Sequence, residues 1–117
     1  MKEQRPKRVA ELIKREVSQI LISRVEDPRI KRFTITRVEV SPDIRQAKIF
    51  ISFEEQEERE ERMKILQKAT GFVKAELAQR IRIKFMPEII FVSDSTFDKA
   101  FRVVVLLNRM EQEEKNE

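Results

Sequence analysis

Residues 63–81 read MKILQKATGFVKAELAQRI, and this stretch decides the fold because it predicts the longest helix of the chain. Its apolar residues recur every three or four positions, the spacing of one buried helix face. Gly71, the only glycine of the chain, stands in the middle of this pattern. A glycine inside a helix costs about 1 kcal/mol relative to alanine, and helices often kink at small-residue pairs. We therefore expect a kink at Ala69, Thr70 and Gly71, which either fits the helix to its sheet or lets a phosphate backbone approach closely.

A first helix and a β-hairpin precede this stretch. The helix has Pro6 in its first turn and one apolar face, and it should end before Asp27-Pro28 because a residue ahead of proline avoids the helical conformation. Two alternating segments then predict strands joined by the turn Ser41-Pro42-Asp43. In the first strand the apolar residues change from odd to even positions near Thr36 and Arg37, which predicts a β-bulge there.

Phe50 falls on the side of the second strand opposite its apolar face, together with Lys48 and Ser52. An aromatic ring beside a lysine on an open sheet face can stack a nucleic-acid base. Packing, or a single exposed apolar residue, is the commoner explanation of such a position.

After the long helix, Pro87 is followed by a predicted short and largely buried strand, Glu88 to Ser93. Ser95 and Asp98 have the spacing of a helix cap, so we expect a short closing helix, although the run Val103 to Val105 also permits a strand. The prediction is one α+β domain over residues 1–110, followed by a charged tail over residues 111–117.

The composition excludes several function classes. The chain has no cysteine and no histidine, which removes disulfides, Cys-His and Ser-His nucleophile systems and the usual zinc sites. One glycine cannot form a phosphate-binding glycine-rich loop. The glutamates of residues 54–61 favour the start of the next helix more than a metal site, because consecutive glutamates point in several directions. We expect no enzyme activity, no cofactor, no metal and no membrane span, and a cytosolic protein.

The charge distribution favours a nucleic-acid partner. The net charge is +4, yet residues 54–61 and 110–117 hold ten of the 21 acidic residues and two of the 25 basic ones. The other 101 residues therefore carry 23 basic and 11 acidic groups, a balance of +12. Heat adaptation explains a high charge fraction but not this bias in sign. A surplus of this kind is typical of RNA- or DNA-binding domains.

Basic residues around the expected kink, on the first helix and near the hairpin turn are the candidates for RNA binding. Positive charge also suits a helix C-terminus for purely structural reasons, which applies to Arg82 and Lys84. The full set is Lys7, Arg8, Lys14, Arg45, Lys68, Lys74, Arg80, Arg82 and Lys84.

Short segments spread from Arg5 to about Asn108 together resemble a known family. They are Arg8-Val9-Ala10, Asp27-Pro28-Arg29, Thr36 with Val38, Val40-Ser41-Pro42-Asp43, Ala47, Ala69-Thr70-Gly71-Phe72, Pro87-Glu88-Ile89, Phe91 and Asp94. Their order and spacing resemble bacterial ribosome-binding factor A, and the element order resembles a type II KH domain. The implied fold is helix, strand, strand, helix, kink, helix, strand, with a short C-terminal helix.

The resemblance implies a cytoplasmic, non-catalytic assembly factor, which we expect to be a monomer. It would bind the immature small ribosomal subunit and assist maturation of its ribosomal RNA, particularly in the cold. Ala69 and Gly71 match the Ala-x-Gly kink that replaces the Gly-x-x-Gly loop of ordinary KH domains, which argues against sequence-specific reading of bases. Two alternatives stay open: a basic module that docks an acidic protein partner, and a metal-dependent nuclease built on the glutamates.

Overall fold

The structure, a computed structural model, describes residues 4–54, 57–94 and 106–111 of the chain. Its elements are helix α1 (Gln4–Ser23), strands β1 (Phe33–Val40) and β2 (Gln46–Phe53), helix α2 (Arg59–Arg80) and strand β3 (Glu88–Ser93). Residues 106–111 are helical as well. The predicted α+β class and element order are confirmed. The cap expected at Ser95 and Asp98, and the alternative strand at 103–105, lie outside the described residues.

The three strands form one sheet in the order β1-β2-β3. β1 and β2 are antiparallel and joined by the predicted turn, in which the Ser41 N–H donates to the Gln46 carbonyl oxygen at 2.9 Å. β2 and β3 are parallel, which requires a crossover connection, and α2 provides it.

The predicted β-bulge is confirmed: the register of β1 against β2 shifts between Ile35 and Arg37, so Thr36 is the extra residue. This extra residue restores the parity of the strand. As a result, four apolar residues of β1 oppose the buried residues of β2, pairing Phe33 with Phe53, Ile35 with Ile51, Val38 with Ile49 and Val40 with Ala47.

Both helices pack on this apolar side of the sheet and against each other. α1 contributes Ile13, Val17, Ile20 and Leu21 to the core, and α2 contributes Leu66, Val73 and Leu77. α1 ends four residues before Asp27-Pro28, as predicted. The helical spacing of the apolar residues thus fixes which sides of α1 and α2 face solvent.

α2 is not divided at Gly71. The helix is continuous from Arg59 to Arg80, and Gly71 does not have a positive φ. The expected kink at Ala69, Thr70 and Gly71 therefore does not break the helix, because buried Leu66 and Val73 hold it on both sides of a glycine that destabilises it by only about 1 kcal/mol. A bend of the helix axis at these residues stays a prediction. The Thr70 hydroxyl donates to the Leu66 carbonyl oxygen at 2.9 Å, a bond often found where helices bend.

Candidate nucleic-acid interface

The nine basic residues predicted to bind RNA are all exposed, but they do not form one continuous group. Three lie on α1, three on α2 and three in the connections between elements. These sets are Lys7, Arg8 and Lys14; Lys68, Lys74 and Arg80; and Arg45, Arg82 and Lys84. The fold thus presents several basic surfaces, which have to be considered separately.

One group of basic residues lines a cleft of about 560 Å³, which we name the turn cleft. Arg5 of α1, Asp43 and Arg45 of the hairpin turn, and Lys84 and Phe85 of the segment before β3 all border it. The Glu88 N–H donates to the Arg45 carbonyl oxygen at 2.8 Å and so ties the turn to the start of β3. Three regions far apart in sequence therefore place three cations around one opening.

Asp43 is the only acidic side chain that borders the turn cleft among the described residues. Its Oδ1 accepts hydrogen bonds from the Ser41 hydroxyl at 2.7 Å and from the Arg45 N–H at 3.2 Å. The hydrogen bond from Ser41, and to a smaller extent the one from Arg45, holds the pKa of Asp43 below its ordinary value. The carboxylate therefore stabilises the turn. Its Oδ2 also lies 3.9 Å from Arg45 Nε, although 86% of the Arg45 side-chain surface is exposed.

The outer side of α2 is a second basic surface, with Lys68 and Lys74 three residues on either side of Gly71. Residues at this spacing are neighbours on a helix surface. Apart from the helix's own backbone, no atom of the described residues lies within 4 Å of a Cβ built at Gly71, so neither their packing nor the backbone φ requires a glycine here. The surface between the two lysines is consequently open to another molecule.

Arg80, by contrast, takes part in contacts between the helices. Its Nη1 lies 3.5 Å from Glu16 Oε2 on α1, and its Nη2 lies 4.0 Å from Glu76 Oε2. Arg24 also reaches Glu76, at 3.4 Å. Two carboxylates already neutralise Arg80, so it is the least available of the nine predicted residues.

Phe50 lies on the side of the sheet opposite the core, as predicted, but its ring is already in contact with a cation. The Arg37 guanidinium is 3.9 Å from the ring centroid, and Arg37 Nε is 3.2 Å from Glu39 Oε1. Phe50 is also only partly exposed. A base could stack on this ring only if it displaced Arg37 or occupied the other side.

A groove of about 790 Å³ runs between α1 and β1, and Lys14 borders it. Ile22, Val25, Ile30 and Phe33 make its lining largely apolar, and Ile22 is 73% exposed. This groove differs from the turn cleft in its apolar residues, which are mostly aliphatic, and Lys31 and Arg32 border it together with Lys14.

The glutamates before α2 behave as helix-terminal charges. Glu58 occupies the N-cap position, and Glu60 and Glu61 lie in the first turn, where negative charge stabilises the helix dipole. Over residues 4–54, 57–94 and 106–111 no three carboxylates lie close enough to share a metal ion. No helix within these ranges is both long and apolar enough to cross a membrane.

Comparison with known proteins identifies the family of this chain. The family model described as ribosome-binding factor A matches residues 5–107, which is nearly the whole chain. The chain belongs to the ribosome-binding factor A family. A family member from Halothermothrix orenii is 40% identical to it, with 100% of this chain and 97% of that protein covered. Another, from Thermosynechococcus vestitus, is 46% identical, with coverage of 96% and 91%.

Solved structures of ribosome-binding factor A share the fold. The crystal structure of the Thermus thermophilus protein is 25% identical and superposes with a TM-score of 0.67 over 75% of this chain and 94% of that one. The solution structure of a Thermotoga maritima relative is 34% identical, with a TM-score of 0.65 and coverage of 75% and 85%. A homology model of the Thermus thermophilus factor, fitted into an electron cryo-microscopy map of a 30S complex, is 27% identical with a TM-score of 0.58, over 69% and 86%.

Sequence analysis missed two residues of the turn cleft, Arg5 and Phe85. Arg5 precedes Pro6 in a basic segment with Lys7 and Arg8, and nothing local connects it with the hairpin turn 40 residues later. Phe85 carries a weak signal: it is a large apolar residue that fits neither the helical period before it nor the strand after Pro87. Its exposure, 74%, is evident only in the folded chain.

Proposed function

We propose that this protein binds the immature small ribosomal subunit in the cytoplasm and assists maturation of its ribosomal RNA without catalysis. Membership of the ribosome-binding factor A family carries this proposal. The structural relative fitted into a 30S complex supports the choice of subunit. The exposed lysines on the outer side of α2 supply charges suited to RNA phosphates.

The proposed mechanism depends on phosphate contacts and differential affinity. Lysines beside a flat helix surface bind phosphates whatever the base sequence, and each contact releases condensed counterions. If the protein binds one arrangement of the ribosomal RNA more tightly than another, it shifts the population toward that arrangement. No bond has to be made or broken for this effect.

Co-sedimentation with free small subunits, compared with joined ribosomes, tests the proposal. Lys68→Glu together with Lys74→Glu should weaken binding to free subunits and reduce the slope of log affinity against log salt by up to about 2, since each lost phosphate contact accounts for about 0.9. Lys31→Glu is the comparison variant with a single charge reversal: Lys31 is exposed but borders the groove between α1 and β1, so the change should leave binding intact if α2 contacts the RNA. An affinity that does not change with salt would contradict the proposal.

A second candidate function, docking of an acidic protein partner, is favoured by the groove between α1 and β1. Its apolar lining and exposed Ile22 suit a peptide better than a phosphate backbone, and Lys14 and Lys31 border it. Ile22→Lys distinguishes the two functions. The change should abolish binding of the protein partner if the groove docks one. It should leave subunit binding intact if α2 contacts RNA.

A further inference from the structure

Phe85 is one of the most exposed large apolar residues of the described chain, with 74% of its surface in contact with solvent. Its neighbours on either side are held, since Ile83 and Met86 pack against the core and Pro87 is fully buried. The ring therefore projects from an anchored segment into the turn cleft. Single exposed apolar residues are common, so exposure alone assigns no role.

The surroundings of Phe85 supply positive charges that can bind an anionic ligand. Lys84 Nζ lies 5.6 Å from the ring centroid, much farther than the 3.9 Å that separates the Arg37 guanidinium from the Phe50 ring, and Arg5 and Arg45 border the same cleft. The cleft's volume of about 560 Å³ is within the range of about 300–1,000 Å³ typical of small-molecule sites. Asp43, the acidic residue of the cleft, accepts hydrogen bonds from the Ser41 hydroxyl and the Arg45 N–H, and its Oδ2 lies 3.9 Å from Arg45 Nε. One carboxylate therefore faces three cations.

We propose that the turn cleft binds an unpaired nucleotide of single-stranded RNA, with the base stacked on the Phe85 ring and the adjoining phosphates contacted by Arg5, Arg45 and Lys84. This inference rests on the proposed function and names a second, chemically different RNA contact for it. Aromatic rings combined with a positively charged groove are the usual platform for single strands. Stacking tolerates any base, because every base has a π face.

An acidic peptide fits the turn cleft less well than RNA. Its carboxylates would pair with the three cations but would leave the exposed ring without a partner. Every nucleotide carries both a flat π face and a phosphate, and the cleft offers a counterpart for each. The groove between α1 and β1 is the more suitable surface for a peptide.

The absence of tryptophan and tyrosine from the chain allows a direct test. Phe85→Trp introduces a single fluorophore at the cleft, and a base stacked on its indole should quench the emission. Ile22→Trp is the matched control, since Ile22 is 73% exposed but lies in the other groove. We expect quenching of the Phe85→Trp variant by oligouridylate and by small subunits, with no response to a fully paired RNA duplex and none in the control with oligouridylate.

Affinity provides an independent measurement. Phe85→Ala should weaken binding of oligouridylate by about 5- to 150-fold, the loss of one stacked base, whereas Phe85→Tyr should retain it. Neither change should alter the unfolding transition, because the side chain is mostly exposed. Equal quenching by duplex RNA or by polyglutamate would overturn the inference, and so would unchanged emission in a complex that co-sediments with subunits. Quenching by oligouridylate without any subunit binding would instead support RNA binding at the turn cleft and contradict the proposed function.

Discussion

Thr36 donates a hydrogen bond from its hydroxyl to Oδ2 of Asp94, 58 residues away in sequence. Thr36 is the extra residue of the bulge in β1, and Asp94 directly follows β3, so the bond connects the two outer strands across β2. The Asp94 N–H also donates to the Ile51 carbonyl oxygen of β2 at 2.9 Å. Both side chains belong to the segments that resemble the family, and their shared role is to close this end of the sheet.

Thr36→Val should destabilise the fold by about 1–3 kcal/mol, because the buried carboxylate of Asp94 loses one hydrogen-bond donor while the side-chain shape is kept. Denaturant unfolding measures the effect. Thr34→Val is the control on the same strand, where the side chain is exposed and the change should remain within about 0.5 kcal/mol. Equal losses in the two variants would assign the effect to the strand and not to Asp94.

Arg80→Glu should lower the free energy of unfolding by about 1 kcal/mol, because it replaces a cation between Glu16 and Glu76 with a third negative charge. Lys74→Glu, six residues earlier on the exposed side of α2, should change stability little. The combination of Arg80→Glu with Glu16→Arg should recover part of the loss, as a double-mutant cycle can measure. Additive effects in that cycle would contradict a direct interaction.

Asp27→Asn should lower the melting temperature at neutral pH but have less effect in acid. The Arg29 side chain, and then its backbone N–H, hydrogen-bond to Asp27 and hold the pKa of this carboxyl below its ordinary value of 3.8. The folded state therefore favours the ionised form. Its stabilisation is present above the ordinary value and is lost as the pH falls through the lowered pKa.

Thermal unfolding at a series of pH values tests this dependence. The difference between wild type and Asp27→Asn should narrow below about pH 3.8. Glu26→Gln, an exposed neighbour, is the control. A difference that stays constant down to low pH would show that the asparagine acts through something other than lost ionisation.

The fold was largely predictable because its determinants are local. The reversal of strand parity around Thr36 indicated the bulge, and proline positions indicated where α1 ends and β3 begins. The turn cleft was not predictable in the same way. It exists only because the crossover through α2 returns Lys84 and Phe85 to the hairpin turn, beside Arg5. Ion pairing of Arg80 likewise depends on how α1 and α2 pack, which composition does not specify.

Gly71 shows how tertiary packing limits what helix propensity alone can predict. Glycine is the weakest helix former after proline, so an interruption was the direct expectation. Helix α2 instead continues, because tertiary packing of its buried face outweighs a cost of about 1 kcal/mol. The open space above Gly71 means that nothing within the described chain explains the glycine.

Gly71→Ala should therefore raise the free energy of unfolding by up to about 1 kcal/mol, since the backbone is helical and the added methyl group meets no neighbour. Subunit binding by the same variant then tests the role of the surface between Lys68 and Lys74. We expect weaker binding despite the greater stability, because a side chain there would hold a phosphate backbone away from the helix.

Gly71→Gln extends this test, since a longer side chain should weaken subunit binding further while the helix remains intact by circular dichroism. Glu60→Gln is the control for an amide on the same helix far from the two lysines. If Gly71→Ala is more stable and Gly71→Gln still binds subunits with wild-type affinity, no RNA approaches the helix at this point. The glycine would then be an incidental weak position, and the RNA-binding surface would have to be sought around the turn cleft.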